Sequence, residues 1–287
     1  MITSNNGFTA TESISLSQEL ALLGIQSTPF ASLLLSKGVE KALATVYTFK
    51  EKTISNDDDI SAVEGADTTV FQASAKSELT AILQIFKKAV SISGTADAMQ
   101  SSKFSEEVAD RLLELKINLE KVLINGTKAD GSVTPFIRKM SGIVESADSS
   151  NAETGANVEE LIKNTMQNLW NNDLSEGAYY LFVNADVKEK IDAVYKDSYS
   201  YVHQTNNFGL VVDTINTNFG TVNVVLSKHV SATKGILFND AYVNMVALRE
   251  AHFEPLAKTG DSTKGQIVGE YSLKVGSPKA VAVITVA

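Results

Sequence analysis

The chain has 287 residues, 44% of them hydrophobic and 21% charged, which suffices for one large domain or two modest ones with a buried core. It has no cysteine, which excludes a disulfide framework and any thiolate metal site. Acidic residues outnumber basic ones 34 to 25 for a net charge of −9, and no run of Lys and Arg exceeds two, so the concentrated basic patch that tight nucleic-acid binding needs is absent.

The opening residues, "MITSNNGFTATESISLSQEL", lack the basic stretch and continuous apolar run of a signal peptide. No apolar run reaches the length of a membrane-spanning helix, so no membrane partner is expected and the compartment is the cytoplasm of the producing cell. Residues 1–36 are Ser/Thr/Asn-rich, with the apolar blocks "LALLGI" and "STPFASLLLSKG". Pro29 pushes Thr28 towards an extended conformation, and Gly38 ends the second block. Too sparse for a core of its own and too apolar for a solvated tail, the segment reads as an arm lying on something else, with Phe30 and Leu34 as contact candidates.

In "KALATVYTFKEKTIS" (41–55), Leu43, Thr45, Tyr47 and Phe49 share one face of a period-2 strand. After the acidic turn region "NDDDISAVEGADTT", a second strand is expected from Glu78 to Ser93, making a long hairpin. Its return strand is apolar on both faces: Ile82, Phe86 and Val90 oppose Leu83, Ile85 and Ala89. A two-stranded hairpin is marginal in water, so something must cover it. Tyr47, Phe49, Ile82, Phe86 and Val90 are the candidates for contact with another copy.

From Ser105 the period changes. Val108, Leu112, Leu115, Leu119 and Val122 recur at helical spacing, with Ser105 expected as N-cap, Glu106 and Glu107 in the first turn, and Gly126 as the stop. Residues 127–156 read as a polar loop with a short strand or turn near 136–144. A second helix is expected over 158–170, with Trp170 in its core-facing stripe beside Leu161, Met166 and Leu169. Then come a buried strand (178–183), a helix capped by Asn184, strands at 209–215, 221–226, 235–239 and 242–250, and two closing strands around Gly276-Ser277-Pro278. Strands and helices interleave, so the class is mixed α and β.

Chemistry-bearing motifs are missing. The three histidines, His203, His229 and His252, form no pair at helical ligand spacing. No nucleophile elbow, phosphate loop or dinucleotide turn occurs, and "TGDSTKGQ" (259–266) has the residues of a phosphate loop without their spacing. "NDDD" (56–59) lacks the glycine and terminal glutamate of a calcium loop. No catalytic, cofactor-binding or metal site is assigned, and no enzymatic activity is expected. An acidic mixed chain with an arm and a hairpin that need covering reads as a self-assembling structural protein.

The order of arm, extended hairpin, long helix, α/β middle and closing strands resembles the major capsid (major head) proteins of tailed bacteriophages, with the Hong Kong 97-like fold. "STPFASLLLSKG" with "EGAD", "FKKAVSISGTADAM" with "VADRLLELKINLEKVLING", and "LAKTGDSTKGQIVGEYSLKV" with "AVAVITV" carry the resemblance over about half of the chain. It implies an α+β chain with an N-terminal arm (1–36), an extended β-hairpin loop (37–95), a peripheral domain with a long spine helix (96–156), an axial domain (157–240) and a return to the peripheral domain (241–287). It further implies self-assembly into hexamers and pentamers of an icosahedral head around double-stranded DNA, without sequence-specific DNA binding. The expected partners are other copies of the chain, a portal at one vertex and, because the hairpin follows so soon after Met1, a separate scaffolding protein, the alternative being that scaffolding is dispensable. Nothing in the spacing selects a Lys–Asn pair for covalent cross-linking, although Lys50 and Lys52 are present. The competing readings are an encapsulin-like compartment shell of the same fold, a tail-tube subunit, which would carry fewer and shorter helices, and an enzyme with an unfamiliar site.

Overall fold

The structure, a computed structural model, describes residues 28–54, 73–98, 104–172, 177–198, 213–258 and 260–287, with isolated positions 61, 64, 65, 67, 71 and 174. The arm before Thr28, the acidic turn at 56–59 and the start of the strand expected at 209–215 lie outside the described residues. In chain order the elements are α1 (Pro29–Ser36), β1 (Val39–Lys41), β2 (Val46–Thr53), β3 (Ala75–Ile82), β4 (Gln84–Ser93), α2 (Gly94–Ala98), α3 (Phe104–Asn125), β5 (Ala129–Asp130) and β6 (Arg138–Lys139). There follow α4 (Ile143–Ser146), β7 (Glu153–Gly155), α5 (Val158–Asn171), β8 (Tyr179–Val183), α6 (Ala185–Ser198), β9 (Thr214–Thr217), β10 (Gly220–Leu226), β11 (Lys234–Asn239), β12 (Val243–Pro255), β13 (Ser262–Val275) and β14 (Val281–Val286).

Two sheets organise these elements: a four-stranded one in the order β1-β12-β13-β4 and a six-stranded one in the order β7-β14-β11-β8-β10-β9. The helical stripe of α3 packs on β4 and β13, burying Val108, Leu112, Leu115, Leu119 and Leu123 against Phe86, Val90, Ile92 and Leu273. The same core extends to Phe182, Ile236, Phe238 and Val281 on one face of the six-stranded sheet. The other face forms a second core with α5 and α6, in which Tyr179, Leu181, Val222 and Ile284 meet Leu161, Ile162, Met166, Val187 and Ile191. Strands covered on both faces read as nearly continuous apolar runs, and "YYLFV" and "VAVITV" do.

Four local outcomes differ from the sequence expectations. The strand expected from Glu78 to Ser93 is two strands. The chain breaks at Leu83, whose N–H donates to the Thr45 carbonyl at 3.0 Å, and passes from the β2–β3 hairpin into the four-stranded sheet. Helix α3 starts one residue early, placing Ser105 inside its first turn rather than at its cap. The closing strands separate: β13 pairs with β12 and β4, while β14 joins the six-stranded sheet between β11 and β7. Trp170, expected in the core, is 54% exposed at the end of α5, its ring 5.8 Å from that of Phe219.

Gly126 does end α3, for a steric reason. A Cβ there would lie 2.5 Å from the Val122 carbonyl oxygen, and one on Gly142 would lie 2.5 Å from the Gly126 nitrogen. The two glycines let the chain leaving α3 cross the start of α4 in backbone contact, sealed by a 2.8 Å hydrogen bond from Gly142 N–H to the Gly126 carbonyl.

Candidate assembly interface

The hairpin is the element that a single chain leaves least supported. Among the described residues, β2 and β3 form a sheet of their own, with no third strand. Cross-strand partners share a face, so Tyr47, Phe49 and Glu51 line up with Ala81, Leu79 and Ser77. This face turns to the body at its base. Lys274 Nζ sits 5.7 Å from the Tyr47 ring centroid and 5.8 Å from that of Phe49, and donates to both carboxylate oxygens of Glu40 at 2.9 Å. The Tyr47 hydroxyl donates to Glu40 at 2.9 Å, and the Ser277 hydroxyl donates to Glu51 at 2.5 Å. Burial opposes the Glu40 charge, but the donors Lys274, Tyr47 and Asn244 outweigh it and hold the carboxyl below its ordinary pKa.

Between the hairpin and the body lies an open groove of about 500 Å³, walled by Phe49, Leu79, Ala81, Leu273 and Pro278. Lys128 bridges its edge, donating to the Thr80 hydroxyl at 3.0 Å. Elsewhere large exposed apolar side chains include Leu43 just before the hairpin and Val46 at its start, and Val133, Phe136 and Ile137 in the β5–β6 turn. That turn is held by Asp130, whose carboxylate accepts from the Ser132 N–H and hydroxyl.

Of the seven residues expected to face a neighbouring copy, five are buried within the chain itself and two are not. Tyr47 and Phe49 are half-buried. Phe30 and Leu34 are 1% and 0% exposed: they belong to α1, which lies on α3, and the Phe30 ring meets Phe182 and Phe238 edge-on at 5.4 and 5.5 Å. Phe86 and Val90 are also buried, because β4 packs them under α3, and Ile82, the last residue of β3, is 6% exposed. Of the opposite face, Leu83 is buried, whereas Ile85 is 47% exposed on the outer side of β4.

Three charged groups that sequence reasoning passed over are also buried. Lys116 and Glu120 lie one turn apart on the apolar side of α3, both 0% exposed, and Glu120 accepts the N–H groups of Phe30 and Ala31 at 3.1 and 2.6 Å. Burial pushes the Glu120 carboxyl up to about 7, against those two donors and Lys116. The signal was there: both interrupt the row Leu112–Lys116–Glu120–Leu123, where an amphipathic helix calls for apolar residues. Glu270 on β13 accepts from Arg249 at 2.7 and 3.0 Å and lies 3.6 Å from Arg138, tying the β5–β6 hairpin to the sheet. Among the described residues, no group of three or more His, Cys, Asp or Glu could hold a metal.

The body is thus two sheets and a long amphipathic helix, with the two-stranded β2–β3 hairpin as a sheet apart. The family model for "SU10 major capsid protein" matches residues 2–287. The chain belongs to the SU10 major capsid protein family. It is therefore a phage major capsid protein, and its place is the virion capsid. No curated protein matches the sequence. Among solved structures, the capsid of cyanophage P-SCSP1u is similar over 100% of this chain and 92% of its own, with 12% identity and a TM-score of 0.63. The Gordonia phage Cozz structure is similar over 100% and 91%, with 8% identity and a TM-score of 0.62. The holo-SrpI encapsulin complex from Synechococcus elongatus shares the fold over 88% and 86%, with 13% identity and a TM-score of 0.56. Identities this low speak for the fold, which capsids and encapsulins share; the family match is what separates the two.

Proposed function

We propose that this capsid protein builds the pentamers and hexamers of an icosahedral head around double-stranded DNA, with the β2–β3 hairpin lying over an adjacent subunit. The observation that carries this reading is the hairpin itself: a two-stranded sheet whose aromatic face, Tyr47 and Phe49, is only partly covered by its own chain. In this reading, the arm and α1 form the N-terminal segment and α3 is the spine of a peripheral domain built on the four-stranded sheet. The six-stranded sheet with α5 and α6 is the axial domain, which begins at β7 and includes β14. A portal at one vertex and a separate scaffolding protein are the partners such a head requires. The net charge of −9 suits a lining that encloses DNA without gripping it. The chain is assigned no catalytic step.

Negative-stain electron microscopy of the purified protein, alone and co-expressed with portal and scaffolding proteins, tests this reading. Closed shells, or sheets and tubes of hexamers, are expected. A double variant Tyr47→Ala/Phe49→Ala should stay folded by circular dichroism and lose those assemblies. A monodisperse monomer from the unaltered protein under every condition would sink the proposal.

A further inference from the structure

We propose that the β2–β3 hairpin closes over the β5–β6 turn of a neighbouring copy, whose Val133, Phe136 and Ile137 enter the groove between hairpin and body. This rests on the assembly reading and names the surface on which the hairpin lies.

The turn presents apolar side chains on a fixed base. From Gly131 to Ile137, "GSVTPFI" carries no charge, and Val133, Phe136 and Ile137 are 77%, 68% and 56% exposed. Ala129 and Asp130 pair with Lys139 and Arg138, and Arg138 reaches Glu270 on β13. The tip closes with a 2.7 Å hydrogen bond from the Phe136 N–H to the Val133 carbonyl. Phe136 has a φ of +57°, a left-handed conformation in which a bulky side chain is an outlier. Such strain is characteristic of functional positions, and a ring two-thirds exposed gains little from its own chain in return.

The groove has matching chemistry. Phe49, Leu79 and Ala81 wall it from the hairpin, and Leu273, Val275 and Pro278 from the body. Its charged groups are engaged or at the solvent edge: Lys128 donates to Thr80, Glu145 accepts from the Lys128 N–H and the Ser141 hydroxyl, and Glu78 lies exposed opposite Lys50. An uncharged apolar tip fits such walls better than a polar one. Lys128 and Ser141 stand on the rim just outside β5 and β6, so the turn springs from the edge of the groove, yet none of its three apolar residues lines it. Each copy therefore carries a knob and a hole side by side, the arrangement that lets subunits pass one contact around a closed ring. The three side chains offer roughly 300 Å² of surface, well under the ~800 Å² per partner of a stable pair, which suits a contact made only among several others in a shell.

The chain has no cysteine, so two introduced thiols report this contact alone. Val133→Cys and Leu79→Cys, prepared separately, assembled together and oxidised, should give a mixed disulfide dimer on a non-reducing gel, with none from either variant alone. Phe136→Asn supplies a second readout, because asparagine accepts a left-handed φ. Its denaturant midpoint should hold or rise, while the protein concentration needed for assembly rises roughly tenfold or more. A role confined to the single chain would instead lower the midpoint and leave assembly unmoved. Shells that form without the mixed disulfide overturn this contact and leave the assembly reading standing. A disulfide from Leu79→Cys to Leu22→Cys in its place would give the groove to the N-terminal block "LALLGI" and also overturn it. Failure of the unaltered protein to assemble under any condition sinks the assembly reading and this contact with it.

Discussion

Lys274 and Glu40 form a two-pronged ion pair, with Nζ at 2.9 Å from each carboxylate oxygen, under the two aromatic rings of the hairpin. The pair joins β13 to the residues that lead into the hairpin, so it sets the angle at which β2 leaves the body. Lys274→Ala removes the charge-assisted bonds and both cation–π contacts. It should lower stability by about 1–2 kcal/mol in urea titrations, the pair being partly solvent-screened. Because the Glu40 carboxyl is held below its ordinary value, its contribution is present above about pH 4.5 and fades as the pH drops through the lowered value. Lys274→Ala should flatten that part of the stability profile, and an unchanged acid limb would mean that Glu40 is held by Tyr47 and Asn244 alone.

Glu270 is the hub of a different contact. Its side chain is 7% exposed between Arg249 and Arg138, so Glu270→Ala leaves two guanidinium groups without their shared acceptor. The expected loss is about 2–3 kcal/mol, below the full value for a buried pair because Arg249 is 45% exposed. Glu270→Ala/Arg138→Leu should recover part of it, since the less exposed guanidinium is gone. Denaturant midpoints of the two variants decide the matter: a double variant no better than the single one would show that Arg138 is solvated without Glu270.

The helices were the most legible part of the sequence, for a physical reason. A 3.6-residue stripe is written locally, and α3, α5 and α6 appear within a residue or two of where Leu112–Leu119, Leu161–Leu169 and Val187–Ile191 place them. What covers an apolar residue is not local. Phe30 and Leu34 looked like contacts for another molecule because their acceptors, Glu120, Phe182 and Phe238, lie 90 to about 200 positions away. Leu83 looked like one more residue of a single strand. In the fold it is fully buried with Ala42 and Val246, at the point where the chain changes sheets. On β4 itself, Phe86 and Val90 face the core while Ile85, on the other side, stays 47% exposed. Of the candidate contacts, Tyr47 and Phe49 are the ones their own chain leaves half-buried, because β2 and β3 pair only with each other.

The glycine crossing after α3 gives a sharp steric prediction. Gly142→Ala places a methyl 2.5 Å from the Gly126 nitrogen and 2.7 Å from the Ile124 carbonyl, both rigid backbone. The helix end and α4 must part, breaking the 2.8 Å bond between the two glycines. A loss of about 3 kcal/mol or more, with low soluble yield, is expected. Gly38→Ala is the control: its Cβ meets nothing within 4 Å, so only its φ of +93° resists and the cost should stay near 1 kcal/mol. Thermal melts of the two variants should therefore separate clearly.

Trp170 is the chain's one tryptophan, and its position makes it a reporter of assembly. It stands 54% exposed at the C-terminal end of α5, its ring packed at 5.8 Å on Phe219, which follows β9. Since half of its surface already meets water, Trp170→Ala should cost the single chain less than about 1.5 kcal/mol. An exposed indole beside a second aromatic ring, on a protein whose family forms shells, is the kind of surface that a neighbouring subunit covers. Unassembled protein should emit at a long wavelength and be quenched readily by acrylamide. Assembled shells should shift the emission to the blue and resist quenching, and Trp170→Ala should assemble more weakly while melting nearly as the unaltered chain does. Identical spectra before and after assembly would place this end of α5 in solvent in the finished shell.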